Sequence, residues 1–251
     1  RRISRVRKVM APKNGYEDWE ITQMLSNALG YPMNYKHASE IMDEVAQLTP
    51  TFKGVSYEKL DKLESIQWPC NDEFPEGTPT MHVDEFVRGK GKFFITEYVP
   101  TVEKVNGKFP LIMTTGRILA HYNVGAQTRR TKNSEWHDED LIEIHPHDAE
   151  ERGINERDWV GINSRSGDTV LRAKITDKVQ PGVVYTTFHH PVSGANVITT
   201  DNSDWATNCP EFKVTAVQVT KVTQPSNWQS KYQKFSEKQI DFVKNGEEKV
   251  S

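Results

Sequence analysis

Cysteine is nearly absent from this chain: 251 residues include two, Cys70 and Cys209. Two thiols cannot hold a four-cysteine iron–sulfur cluster. Neither stands in a C-x-x-C pair, so a cysteine zinc site is not expected. A secreted disulfide scaffold does not fit this size and cysteine density, and both thiols are read as reduced and partly buried in a cytoplasmic protein. Long apolar runs are missing as well. None approaches the ~20 residues that cross a bilayer, and no leader pattern opens the chain, so no membrane partner is expected. An excess of positive charge is also lacking: 32 Lys and Arg stand against 35 Asp and Glu, a net charge of -3. That removes the electrostatic reason for a nucleic-acid partner. The basic opening Arg1-Arg2-Ile3-Ser4-Arg5-Val6-Arg7-Lys8 is read as an edge strand without its neighbours. Methionine does not begin the chain, which is read as a processed product or a piece of something longer.

What is present is a globular composition, 35% hydrophobic and 27% charged, enough for one large domain or two small ones. The first third is patterned for helices. In Glu17-Asp18-Trp19-Glu20-Ile21-Thr22-Gln23-Met24-Leu25 the apolar positions recur near 3.6, between Asn14-Gly15 and the stop signals Gly30 and Pro32. Ser39 is placed to cap a second helix through Leu48, and 56–66 forms a third candidate. A loop rich in Pro, Asp and Gly follows over 68–79. From Lys92 the pattern turns to strands: 92–98, 111–115, 141–145, 158–164, 169–175, 182–188 and 213–222, with a hairpin turn at Ser166-Gly167-Asp168. Short strands without strict strand–helix alternation favour a closed β-barrel over a doubly wound sheet. The tail 225–251 is polar, with Trp228, Tyr232, Phe235, Ile240 and Phe242 at intervals. It reads equally as a helix on its own domain and as an arm for another subunit. Asn245-Gly246, Glu247 and Glu248 read as a solvated end.

The stretch richest in chemistry begins where the strand 110–113 stops at a glycine: Thr114-Thr115-Gly116-Arg117, then Ile118-Leu119-Ala120-His121-Tyr122-Asn123, then Gln127-Thr128-Arg129-Arg130. A glycine there lets backbone approach a bulky ligand, and the arginine beside it offers a planar fork of donors for phosphate or a ring edge. Taken alone, Arg117 also fits a surface salt bridge. No acid follows until Glu135, so the segment suits a large, anionic, donor-hungry molecule. A second constellation runs from Thr186-Thr187-Phe188-His189-His190-Pro191 through Asn196 to Pro210-Glu211-Phe212-Lys213. Phe188 is suited to stacking, Asn196 to reading a ring edge with donor and acceptor, and Lys213 to phosphate. Adjacent histidines on a strand point to opposite faces, so His189 and His190 are not expected to share a metal. His145, His147 and Asp148 fit a helix start, with aspartate as the cap, better than a metal site.

The first stretch resembles the cofactor-binding segment in the C-terminal domain of molybdopterin oxidoreductases, where a Thr-Gly-Arg turn, a His-aromatic-polar cluster and a later Thr-Arg pair occur together. Within that group Thr-Gly-Arg-Ile-Leu-Ala-His-Tyr-Asn-Val-Gly-Ala-Gln-Thr-Arg-Arg is most similar to the large subunit of NAD-linked formate dehydrogenases, over about 15–222 of this chain. The resemblance implies a mixed α/β fold: a helical segment, 1–91, ending a preceding oxidoreductase domain; a six-stranded double-psi β-barrel, 92–224; and the tail, 225–251. It implies a bis-molybdopterin guanine dinucleotide carrying molybdenum or tungsten. Its contacts are Thr115, Gly116, Arg117, His121, Tyr122 and Asn123, with Thr128 and Arg129 in support, and then Phe188, Asn196, Phe212 and Lys213. The Cys-His (or selenocysteine) metal ligand and the iron–sulfur cysteines of that family have no counterpart here. The chain alone is therefore expected to be inactive. Its implied partners are the rest of the large subunit and NAD/flavin-binding electron-transfer subunits. A nitrate reductase portion is the nearest competitor, but such segments often read His-Trp-His-Thr where this chain has His-Tyr-Asn-Val. A stand-alone nucleotide- or partner-binding barrel without redox activity is the other.

Overall fold

The structure is a computed structural model, and it describes residues 1–9, 11–12 and 15–235. Asn14 and the tail positions Ile240, Phe242, Asn245, Gly246, Glu247 and Glu248 lie outside the described residues. The chain divides into two compact units, Arg1–Thr96 and Glu97–Ser251, a few residues beyond the boundary expected at 91/92.

The first unit is built on helices α1 (Asp18–Ala28), α2 (Ala38–Leu48) and α3 (Tyr57–Leu63) and a strand pair, β1 (Arg2–Ile3) with β2 (Ile66–Gln67). Helix α1 opens on a capping box, in which the Glu17 backbone N–H donates to the Glu20 carboxylate at 2.7 Å. Ser39 does not cap α2. His37 does, its Nδ1 accepting the Ser39 N–H at 3.2 Å, because His37 is the last extended residue and Ser39 is already helical. Ser56 caps α3 through the Lys59 N–H at 3.2 Å. That helix stops short of Ile66 because Glu64 takes a left-handed φ of 63° and the chain then enters β2. The basic opening is therefore an edge strand, and β2 is its neighbour. Val55, Leu60, Ile66 and Cys70 form the core of this unit. Cys70 is buried as expected, whereas Cys209, in the second unit, is exposed.

The second unit is a closed barrel of six strands: β3 (Leu111–Gly116), β4 (Leu141–Ile144), β5 (Trp159–Asn163), β6 (Asp168–Ile175), β7 (Val183–Thr187) and β8 (Thr215–Lys221). Their order around the barrel is β3-β7-β4-β6-β5-β8. Two parallel pairs, β3 with β7 and β4 with β6, are interleaved among antiparallel ones, giving the double-psi arrangement. Strand β3 alternates buried and half-buried positions, the period-2 signature of one face turned inward. Leu111, Met113, Ile142, Ile144, Val160, Ile162, Val184, Val217 and Val219 fill the interior. The expected strand at 92–98 is absent. The closed barrel has no edge for it to pair with, and Phe93 and Ile95 stand fully exposed.

Helix α4 (Pro146–Glu151) forms where expected, but its cap is His145, whose Nδ1 accepts the His147 N–H at 3.2 Å. Asp148 turns inward instead and accepts the Gly182 N–H at 2.8 Å, tying the helix to the start of β7. His147, Asp148 and Glu151 lie close together on this one short helix, but that bond and Arg152, 3.7 Å away, already engage the Asp148 carboxylate.

A further helix begins at 227 and runs to 235, the last described residue. It packs on its own barrel. Trp228 Nε1 donates to the Asp168 carbonyl at 2.7 Å. Buried Gln229 accepts from the Val170 N–H at 3.1 Å and donates to the Val170 and Val192 carbonyls, both at 2.9 Å. Strand β4 pairs with β6 only from Arg172 onward, so this one side chain supplies the missing ladder partner at Val170. Gln229→Leu is expected to cost about 1–3 kcal/mol, because it leaves buried backbone groups unpaired. Hydrogen exchange at the Val170 amide checks this: its protection should fall while Met113 stays protected.

Candidate cofactor-binding site

The barrel's pairing register assembles the site. Gly116 pairs with Thr187 in the parallel β3–β7 ladder, so the next residue on each strand, Arg117 and Phe188, emerges at the same end. The Arg117 guanidinium lies over the Phe188 ring, 5.4 Å from its centroid, a cation–π contact. On the other side of β3, Met113 pairs with Thr215 of antiparallel β8, which brings Thr115 level with Lys213. Thr115 Oγ1 donates to the Phe212 carbonyl at 3.0 Å, and Lys213 Nζ donates to the Thr115 carbonyl. Thr115, Gly116, Arg117, Phe188, Phe212 and Lys213 therefore form one rim. The glycine has a different use from the one expected. A Cβ on Gly116 would lie 2.4 Å from the Tyr185 hydroxyl, so the space is filled by Tyr185, which donates to the Arg117 carbonyl at 3.2 Å.

Beyond the rim, the loop after Gly116 is held by other residues' side chains. Asn133 Nδ2 donates to the Ala120 carbonyl at 2.7 Å, and the Tyr122 N–H donates to Thr128 Oγ1 at 3.2 Å. His121 is buried, with Nδ1 on Thr128 Oγ1 at 2.9 Å and Nε2 on the His137 carbonyl at 2.7 Å. Both of its nitrogens are thus engaged within the protein, and Thr128 likewise works inward. Tyr122 and Asn123 face solvent, and the Asn123 side-chain amide has no partner among the described residues. Arg129 Nε is buried without a partner. Asn196 sits exposed on the single-turn helix α5 (Ala195–Ile198), at the same end of the barrel. The neighbouring Val197 carbonyl lies against Gly167 in the β5–β6 hairpin. No direct contact joins Asn196 to Arg117 or Lys213.

In the layer beneath this loop, sequence reasoning missed Asp140 and His137, and weighed His189 and His190 only as metal ligands. Asp140 is buried and accepts the His189 N–H at 3.2 Å, the His190 N–H at 2.8 Å and the Thr187 hydroxyl. His190 Nδ1 is 3.4 Å from Oδ1. Burial alone would raise the Asp140 pKa, but the donors from His190 and Thr187 outweigh it and hold the carboxyl well below the usual carboxylate range. His137 is pushed down, first by burial and then by its histidine neighbours, with Asp140 pulling the other way. The His121 ring is 5.2 Å from that of His190 and 5.7 Å from that of His189. The opposite-faces argument fails for His189 and His190 because β7 ends at Thr187, leaving both residues on a turn where both bury. Among the described residues these histidines do not bring ligand atoms together as a metal group. The available signal was Thr187-Phe188-His189-His190-Pro191 itself: two histidines just past a strand end.

The outward donors are cationic or neutral, and 117–130 carries no carboxylate. A buried, partnerless Arg129 Nε and unpaired amides at Asn123 and Asn196 suit an extended anion with heteroaromatic edges.

Comparison with known proteins agrees with this chemistry. Residues 111–216 match the family described as molydopterin dinucleotide binding domain. Over 228 residues, 88% of this chain, it is 39% identical to the F420-dependent formate dehydrogenase subunit alpha of Methanocaldococcus jannaschii, covering 34% of that protein. It is 32% identical to formate dehydrogenase H of Escherichia coli over 87% of this chain and 32% of that protein. The chain thus spans about a third of the length of the curated relatives it matches. Among solved structures, acetylene hydratase from Pelobacter acetylenicus shares the fold, with a TM-score of 0.56 at 12% identity, covering 83% of this chain and 33% of that one. The chain carries a molydopterin dinucleotide binding domain and belongs to the molybdopterin oxidoreductases, as a C-terminal portion of the formate dehydrogenase type.

Proposed function

We propose that this chain closes over a bis-molybdopterin guanine dinucleotide in a formate dehydrogenase. The observation that carries the proposal is the single rim on which Arg117, Phe188, Phe212 and Lys213 converge at one end of the barrel. Arg117 and Lys213 neutralise phosphate or ring-edge charge, Phe188 and Phe212 offer faces for stacking, and Tyr122, Asn123 and Asn196 read ring edges. Thr115, His121 and Thr128 shape the loop that presents those groups, and Arg129 adds a buried donor. The metal–dithiolene group, molybdenum or tungsten, would supply the two-electron chemistry that converts formate to carbon dioxide; the protein here supplies binding, orientation and electrostatics. The first 91 residues would complete a preceding domain of the same subunit. The metal ligand and the iron–sulfur clusters would lie outside this chain, which would be inactive alone.

NAD is the acceptor this reading names, through flavin-bearing partner subunits in the cytoplasm. The Methanocaldococcus relative is named F420-dependent, so the two acceptors compete, and reduction assays with each on the purified complex decide between them. Among the described residues no helix is long and apolar enough to cross a membrane.

The test of binding is pterin retention. In the complete protein, Arg117→Ala and Lys213→Ala each remove a charge-assisted contact, and each should speed loss of pterin and metal on dialysis by about tenfold. Wild-type content and wild-type loss rate in both variants would overturn the assignment.

A further inference from the structure

The loop 117–125 makes almost no regular backbone ladder. Within it, the Gly125 N–H donates to the Tyr122 carbonyl at 2.9 Å, and the rest is pinned from outside. One residue pins both its first turn and its last. His189 is fully buried. Its Nε2 accepts the Ile118 N–H at 3.2 Å, and its Nδ1 meets the Asn123 carbonyl. A backbone N–H is only a donor and a carbonyl only an acceptor. The ring is therefore the neutral tautomer with its proton on Nδ1, assigned from these partners. The Asn123 carbonyl it holds belongs to a residue with a left-handed φ of 48°, a conformation that persists only where the surroundings impose it. The backbone of His189 is itself anchored, its N–H on Asp140 Oδ1 at 3.2 Å. Its carbonyl lies 2.7 Å from where a Cβ on Gly125 would sit, so the loop is seated directly on this residue.

We propose that His189 is a positioning residue: its neutral imidazole bridges Ile118 and Asn123 and thereby fixes the presentation of Arg117, Tyr122 and Asn123 to the pterin dinucleotide. The proposal rests on the cofactor reading above and deepens it. His189 does not touch the cofactor; it acts through the loop. The next strongest feature, the exposed apolar stretch around Phe93 and Ile95, has nothing on it to name an occupant.

The test uses the complete protein with two substitutions and two readouts. His189→Phe keeps a ring and removes both bonds, whereas His189→Gln retains an acceptor near the Nε2 position. Hydrogen exchange is followed at Ile118 and over 122–125, with strands β4 and β6 as internal controls, and pterin content is measured separately. For His189→Phe, exchange at Ile118 should accelerate about tenfold, the loss of one hydrogen bond, with the control strands unchanged and pterin loss several-fold faster. For His189→Gln, Ile118 should stay protected while 122–125 opens, and pterin retention should lie between the wild type and His189→Phe. Should His189→Phe fail to fold, the Gln variant decides alone. Unchanged loop exchange, or equal loosening of loop and control strands, would overturn the proposal. So would an opened loop with wild-type pterin retention. Wild-type protein that holds no pterin would instead overturn the cofactor reading, while the exchange data would still decide whether His189 clamps the loop.

Discussion

Replacing Asp140 by alanine is expected to destabilise the barrel by about 3 kcal/mol or more, because three buried donors lose their acceptor at once and each unpaired donor costs about 1–3 kcal/mol. Those donors are the Thr187 hydroxyl and the backbone N–H groups of His189 and His190. They lie at the last residue of β7 and just past it, so the loss also loosens the turn that supports the loop after Gly116. Denaturant unfolding at neutral pH measures the first effect, and a wild-type midpoint would refute it. The same carboxylate predicts an acid dependence. Its pKa in the folded protein lies below its ordinary value of 3.8. The unfolded state therefore takes up the proton first as pH falls, and the stabilisation is present above that ordinary value and lost as pH falls through and below it. The stability gap between wild type and Asp140→Ala should shrink between about pH 5 and pH 3. A constant gap would remove Asp140 as the source.

Gly125→Ala is expected to cost about 2–5 kcal/mol, from two separate sources. Gly125 has a φ of 72°, a left-handed conformation that costs a non-glycine residue about 1–2 kcal/mol. The added Cβ would also stand 2.7 Å from the His189 carbonyl and 2.9 Å from the Arg129 side chain. The first neighbour is backbone and cannot swing away, so the loop must move, at an overpacking cost of about 1–3 kcal/mol. For a domain of 150–250 residues this lowers Tm by roughly 4–20 °C. Pterin should also be lost faster than in wild type, because the displaced segment carries Tyr122 and Asn123. Calorimetry and pterin analysis of the same preparation check both halves. A shift in Tm with unchanged retention would separate loop stability from binding.

Much of the barrel could be read from local pattern. Short runs of apolar and β-branched residues, 111–115 ahead of Gly116 and 169–175 after the hairpin turn, mark strands wherever they end up, because such side chains suit a pleated, half-buried surface. The same rule misled at Lys92-Phe93-Phe94-Ile95-Thr96-Glu97-Tyr98. A β-like pattern becomes a strand only when a partner supplies its hydrogen bonds, and β3 and β8 had already closed the barrel on each other. Helix positions were legible from spacing, but the caps at His37 and His145 were not, because histidine is not a usual capping residue.

The site divides in the same way. The order of residues alone determined which donors exist: the run from Thr115 to Arg130 without an acid, and Phe188, Asn196 and Lys213 later in the chain. Only the three-dimensional pairing decided that Arg117 meets Phe188 and that Lys213 meets Thr115, since those contacts follow from strand register across 71 and 98 positions of chain (188 − 117 and 213 − 115). It also decided which polar groups face outward. His121 and Thr128 look like ligand donors in the linear chain, yet they serve the protein. His189, which looks redundant beside His190, holds the loop. Hydrogen-bond partners are chosen by proximity after burial, and proximity between distant segments is not encoded in local spacing.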